Sequence, residues 1–171
     1  EGFKINLLSE LKNVLNGFNC FYSVRAKNWI PGSLTEEPFQ FGQAIFTRKN
    51  IKTEKYGELL IYKGNPNVVI SPDGGNLPVV LQLLTVNLNG INYLIGNFHG
   101  VSVPGDKLDT SLRIEQSNKI ADFLENRNEM KVLCGDFNLM PQTQSVSIIE
   151  ESGIINLIRK YNIKDTRGPL N

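Results

Sequence analysis

The dipeptide Asn89-Gly90 separates two β-rich runs, VVLQLLTVNL at 79–88 and INYLIGNFH at 91–99, and no other stretch limits the fold as much. Asn followed by Gly tolerates the two positive φ angles of a type I′ turn, so the runs fold back as an antiparallel hairpin. In its second strand the period of two puts Tyr93, Ile95, Asn97 and His99 on one face, with polar groups collecting at the C-terminal end. A loop at 101–107 follows, and Asp109 or Thr110 can cap a helix running to about residue 126, with Ile114, Ser117, Ile120 or Ala121, and Leu124 toward the core. Residues 132–137 then read as a buried strand. Two strand ends joined by a crossover helix belong at the carboxyl edge of one sheet, the edge where α/β domains bind ligands.

The rest of the chain fits a layered α/β (α+β) domain spanning residues 1–171. Residues 5–15 place Ile5, Leu8, Leu11 and Leu15 on one helical stripe, with Gly17 as a left-handed cap. Residues 21–24, 43–47 and 59–62 are short strands. Residues 27–41 form a long loop that borders a site, and 64–78 form turns and irregular loop. A helix of about ten residues ends near Gly153, and 154–158 is a short apolar element.

At 171 residues, 40% hydrophobic and 20% charged, disorder, collagen and coiled coil are excluded. No apolar run approaches the roughly 20 residues that cross a bilayer, so no membrane partner is expected. Cys20 and Cys134 read as buried free thiols of a reducing, cytoplasmic compartment. A net charge of +1 neither supports nor excludes a nucleic-acid substrate.

The chemistry concentrates in Gly135-Asp136-Phe137-Asn138. Alternation puts Asp136 and Asn138 on one side of a strand end, where a carboxylate and a carboxamide aimed at one point can share a hard cation, orient a water and bond a phosphate. The bland alternative is that the pair merely caps the turn before Pro141. The second constellation is Asn97-Phe98-His99-Gly100. His99 is the sole histidine, and an imidazole at a strand exit can hold a phosphoryl oxygen or transfer a proton, although a lone histidine is more often a packing or surface residue. Trp29-Ile30-Pro31 is either a substrate-contacting loop tip or a packing anchor.

In series, these residues resemble a known family. Phe41-Gly42-Gln43-Ala44-Ile45-Phe46, Ile95 to Gly100, Arg113 and Gln116 on the following helix, and Val132 to Asn138 look like consecutive motifs of the endonuclease/exonuclease/phosphatase superfamily, typified by deoxyribonuclease I. The resemblance runs over roughly residues 5 to 167 and implies a four-layer α/β sandwich of two packed mixed sheets with outer helices. It implies a metal-dependent phosphoester hydrolase in which Asp136 positions or deprotonates water, Asn138 contacts the scissile phosphate and His99 stabilises the phosphoryl group. Asn97 and Arg113 are the candidate substrate-binding residues, with Arg113 better suited to ordering the loop after His99. Asp136 and Asn138 are the metal candidates, for magnesium or alternatively manganese. A monomer acting on a phosphodiester or a nucleic-acid end is the expected whole.

The sequence also departs from the family. The asparagine strand and the Gln-Glu motif, whose glutamate is a principal metal ligand there, should precede Glu1, and the Ser-Asp-His motif should follow Asn171, so the domain is expected to be incomplete at both ends. Glu36 and Glu37 are poor substitutes for that ligand; Asp106, Asp109 and Asp165 read as loop, cap and surface. Two rival readings accompany the hydrolase: a degenerate or incomplete member acting as a binding module, and an unrelated α/β module with a chance Gly-Asp-x-Asn, which a fold without two stacked sheets would establish.

Overall fold

A computed structural model describes residues 6–27, 29–30, 33–34, 40–63 and 77–166. Ile5, Pro31, Glu36, Glu37, Arg167 and most of the 64–78 loop lie outside the described residues, as do the side chains of Trp29 and Ile30. The elements are α1 (Leu7–Val14), β1 (Phe18–Lys27), β2 (Trp29–Ile30), β3 (Ser33–Leu34), β4 (Gln40–Arg48), β5 (Lys52–Tyr62), β6 (Val79–Leu88), β7 (Ile91–His99), α2 (Ser111–Glu125), β8 (Met130–Asp136), α3 (Gln144–Glu151) and α4 (Leu157–Lys160).

The hairpin forms as its turn chemistry dictates. Asn89 and Gly90 take φ of 54° and 84°, and Leu88 pairs with Ile91. β7 then pairs in parallel with β8 through α2, completing a mixed four-stranded sheet in the order β5-β6-β7-β8. β1 and β4 form a separate antiparallel sheet, which packs face to face over β6 and β7. Two stacked sheets therefore exist, so the condition that would have established an unrelated module is not met.

Each face of the larger sheet has its own chemistry. On the helix side, Val79, Leu81, Leu94 and Phe98 bury against Ile120 and Leu124 of α2 and Ile149 of α3. Full burial of such a side chain contributes about 1.5–3 kcal/mol, so this cluster supplies much of the stabilisation. On the other side, polar groups cross between the sheets. Gln43 Nε2 donates to Val80 O at 3.1 Å and Asn97 O at 2.8 Å, and Gln82 Nε2 donates to Phe21 O at 2.8 Å. Such bonds add only about 0.5–1.5 kcal/mol each, but leaving the groups unmatched would cost more.

Several expectations are corrected. The 27–41 loop contains the small β2–β3 hairpin, and β1, β4 and β5 are all longer than their apolar cores indicated. α1 buries none of its residues, and Gly17 is absent from the positive-φ residues; the helix ends instead through Leu15, whose N–H donates to Leu11 O at 2.8 Å. β8 is not buried: Met130 is 60% and Val132 46% exposed, because the smaller sheet covers β6 and β7 and leaves that face of β8 open. Cys134 is exposed for the same reason, and Cys20 is only half-buried, although both are free thiols as expected. The core face of α2 takes in Arg113 and Gln116, while Ile114 is only partly buried. The helix expected to end near Gly153 does so, with that glycine at φ 89°.

Candidate active site

The carboxyl ends of β7 and β8 meet in a fixed register, Phe98 opposite Gly135 and His99 opposite Asp136. Glycine is required at 135, where φ is 131° and any Cβ would collide with the backbone of Phe98. The strands are tied once more beyond the ladder, where Gly100 N–H donates to Asp136 O at 2.9 Å.

Asp136 and Asn138 do not end up side by side. Asp136 is exposed, and its Oδ1 accepts the Asn138 N–H at 2.9 Å, which turns the chain and sets Asn138 at φ 53°. Asn138 is buried at 6% exposure; its Nδ2 donates to Gly100 O at 3.1 Å and its Oδ1 accepts from Lys107 Nζ at 2.6 Å. The turn-forming reading of the tetrapeptide therefore holds for Asp136, and the two side chains are not aimed at one point. Asn138 braces the 101–107 loop through Lys107, which also donates to Ser102 O at 3.0 Å.

His99 is half-buried, with its ring edge-on to Phe41 at 6.4 Å between centroids. Burial lowers its pKa below the usual 6.5, Arg25 and Lys107 lower it further, and only Asp136 opposes them. The imidazole is therefore neutral at physiological pH and presents one donor and one acceptor.

Two of the sequence candidates serve other ends. Asn97 lies between the sheets, its Nδ2 donating to Gln82 Oε1 at 3.1 Å and Ala44 O at 3.5 Å, so it is not a free substrate contact. Arg113 is 2% exposed, and its guanidinium donates to Leu108 O and Pro104 O, each at 2.5 Å, and to Val101 O at 3.4 Å. It is a strut for the loop after His99, not a surface for substrate. Asp109 caps α3, not α2: its carboxylate accepts from Gln144 N at 2.8 Å and from Ser145 N at 2.9 Å. Thr110 caps α2, accepting from Arg113 N at 3.2 Å.

Sequence reasoning missed Arg25 and Lys107, and took Phe41 only as the start of a family-like strand motif. Neither cation carried a signal of its own: Arg25 turns inward through an irregularity between Val24 and Ala26, and Lys107 is a single cation in a loop. As for the metal expected at Asp136 and Asn138, the residues present do not compose a site for it. Asn138 Oδ1 already holds an ammonium group, leaving one carboxylate. Among the described residues there is no group of three or more His, Cys, Asp or Glu that could hold an ion.

Two stacked sheets with this strand-end pair give the chain the fold of the endonuclease/exonuclease/phosphatase proteins, the deoxyribonuclease I-like architecture. It is similar to an endonuclease/exonuclease/phosphatase family protein from Bacteroides thetaiotaomicron, at TM-score 0.60 and 19% identity over 86% of this chain and 50% of that one. A mannosyl-6-phosphatase from the same species aligns at TM-score 0.57 and 19% identity over 86% of this chain and 52% of that one. D. rerio TDP2 complexed with single strand DNA product aligns at TM-score 0.58 and 14% identity, over 93% of this chain and 54% of that one. The chain thus spans about half the length of these structures. No protein-family model and no curated protein matches it.

Proposed function

We propose that this chain carries the phosphate-facing part of a phosphoester hydrolase, with Asp136 and His99 at its reacting centre. The observation that carries this reading is their register pairing at the carboxyl edge of the sheet, an exposed carboxylate beside a neutral imidazole. The carboxylate accepts a proton from an attacking water, and the imidazole donates its N–H to a phosphoryl oxygen as charge develops there. Lys107 and Arg25 set a positive field around that oxygen. Asn138 acts through Lys107 and Gly100, holding the loop that frames the site. A mannosyl-6-phosphatase and a TDP2 complexed with single strand DNA product among the similar structures support a phosphate ester and are compatible with a nucleic-acid end. Magnesium or manganese is implied by the family resemblance alone.

The test uses the complete gene product that contains these residues, assayed on a panel of phosphomonoesters and phosphodiesters with magnesium, with manganese and with a chelator. Turnover that Asp136→Asn and His99→Ala both abolish supports the reading; a folded, metal-supplied protein inert on the whole panel overturns it. One observation favours a binding role instead: Asn138, a residue the family uses on the phosphate, is engaged at both ends of its carboxamide. Phosphate binding without turnover in the complete protein would establish that second reading.

A further inference from the structure

Arg25 is placed where strand chemistry alone would not put it. β1 and β4 pair residue by residue up to Val24 opposite Gly42 and resume at Ala26 opposite Phe41, so Arg25 is the extra residue of a β-bulge. Bulges re-aim side chains, and this one sends Arg25 inward, to 7% exposure. Gly42 is part of the device, since a Cβ there would collide with Ser23 O.

The buried guanidinium has few partners. Its Nε donates to Pro78 O at 2.8 Å, and its face covers the Phe41 ring at 5.8 Å from the centroid. Among the described residues no carboxylate pairs with it and its two terminal nitrogens make no hydrogen bond, whereas Arg113, also buried, spends its terminal nitrogens on loop carbonyls and on Asp106. A buried charge without a counter-ion is costly and is retained where an anion completes it. Phe41, which Arg25 covers, lies edge-on to His99. The charge of Arg25 is near enough to oppose protonation of that imidazole, and burial leaves it with a pKa of about 10, still a cation at neutral pH.

We infer that Arg25 is the phosphate anchor of this site, donating its terminal N–H groups to a non-bridging oxygen of a phosphate group seated at His99. The inference rests on the phosphoester reading and adds a ligand from the smaller sheet, so that the two sheets close on the substrate from opposite sides. A planar guanidinium suits this purpose, because it offers two parallel donors to one phosphate.

Inorganic phosphate is the probe. Its affinity is measured by calorimetry for the complete protein and for Arg25→Gln and Arg25→Lys, with chloride at matched ionic strength as the control. The expected result is a loss of about 10-fold or more in Arg25→Gln, with partial recovery in Arg25→Lys, which restores charge but not the fork. If Arg25→Gln fails to fold, Arg25→Lys carries the test, with a smaller loss expected. Equal affinity in wild type and folded variants, or no phosphate binding by wild type through the millimolar range, overturns the inference. Arg25-dependent phosphate binding in a protein that cleaves nothing would uphold the anchor while removing the hydrolase reading, so the two fail separately.

Discussion

His99 and Asp136 are the last register pair of the parallel β7–β8 ladder, and the hydrogen bond from Gly100 N–H to Asp136 O at 2.9 Å locks them immediately past it. Their relative position is set by backbone pairing, so replacing one side chain leaves the other in place. Asp136→Asn keeps an oxygen to accept the Asn138 N–H while losing the charge and the basicity. On any ester the complete protein hydrolyses, kcat is expected to fall by about 100- to 10,000-fold with the melting temperature little changed. An unchanged rate would remove Asp136 from the proton transfer.

The single imidazole makes His99 directly observable by proton NMR. Its titration midpoint is expected below 6.5, lower still in Asp136→Asn and higher in Arg25→Gln, following the charges that face it. Since the folded state binds this proton less readily than the unfolded chain, the stability it contributes is complete above pH 6.5 and declines as pH falls from there toward the folded value. Urea midpoints should drop across that window in wild type and drop less in His99→Gln. A midpoint at or above 6.5 would contradict the half-buried setting.

Arg113→Met keeps the side chain's length and removes its donors. The carbonyls of Val101, Pro104 and Leu108 then lose their shared partner inside a loop that also carries Lys107. A loss of about 2–4 kcal/mol is expected in denaturant unfolding. A change under about 0.5 kcal/mol would mean that the loop holds itself.

Asp109→Ala unties the loop from α3, and because Asp109 is exposed the expected cost is only about 1 kcal/mol. Slight burial raises its carboxyl pKa, but the Ser145 hydroxyl and the Ser145 and Gln144 N–H groups outweigh that and lower it below 3.8. The stabilisation is therefore present above pH 3.8 and lost as pH falls through the lowered value, and the wild-type and variant acid-unfolding curves should converge there. A constant gap between them at all pH values would refute the cap.

The order of elements and the strand-end pair could be read from the chain because both rest on local signals. Asn89-Gly90 specifies its own turn, and alternation along 91–99 fixes which side His99 faces. What could not be read depends on which surface another element covers. Val132 and Cys134 occupy an apolar strand as expected, yet they are exposed because the smaller sheet stops over β7. Asn138 was expected beside Asp136, but alternation ends where φ turns positive, and a lysine 31 residues away then claimed its oxygen. Arg25 became inward-facing through a bulge, which has no signature in one strand's sequence.

Gln43, Gln82 and Asn97 have a consequence of this kind for the whole site. Interfaces between purely aliphatic sheets can slip, since one methyl is much like the next; amide donors that must meet particular carbonyls act as dowels and allow a single alignment. Because Arg25 and Phe41 arrive on one sheet and His99 and Asp136 on the other, these dowels determine whether the two halves of the site meet at the right spacing, and a chain that folded to full stability without them would still have its chemistry out of true.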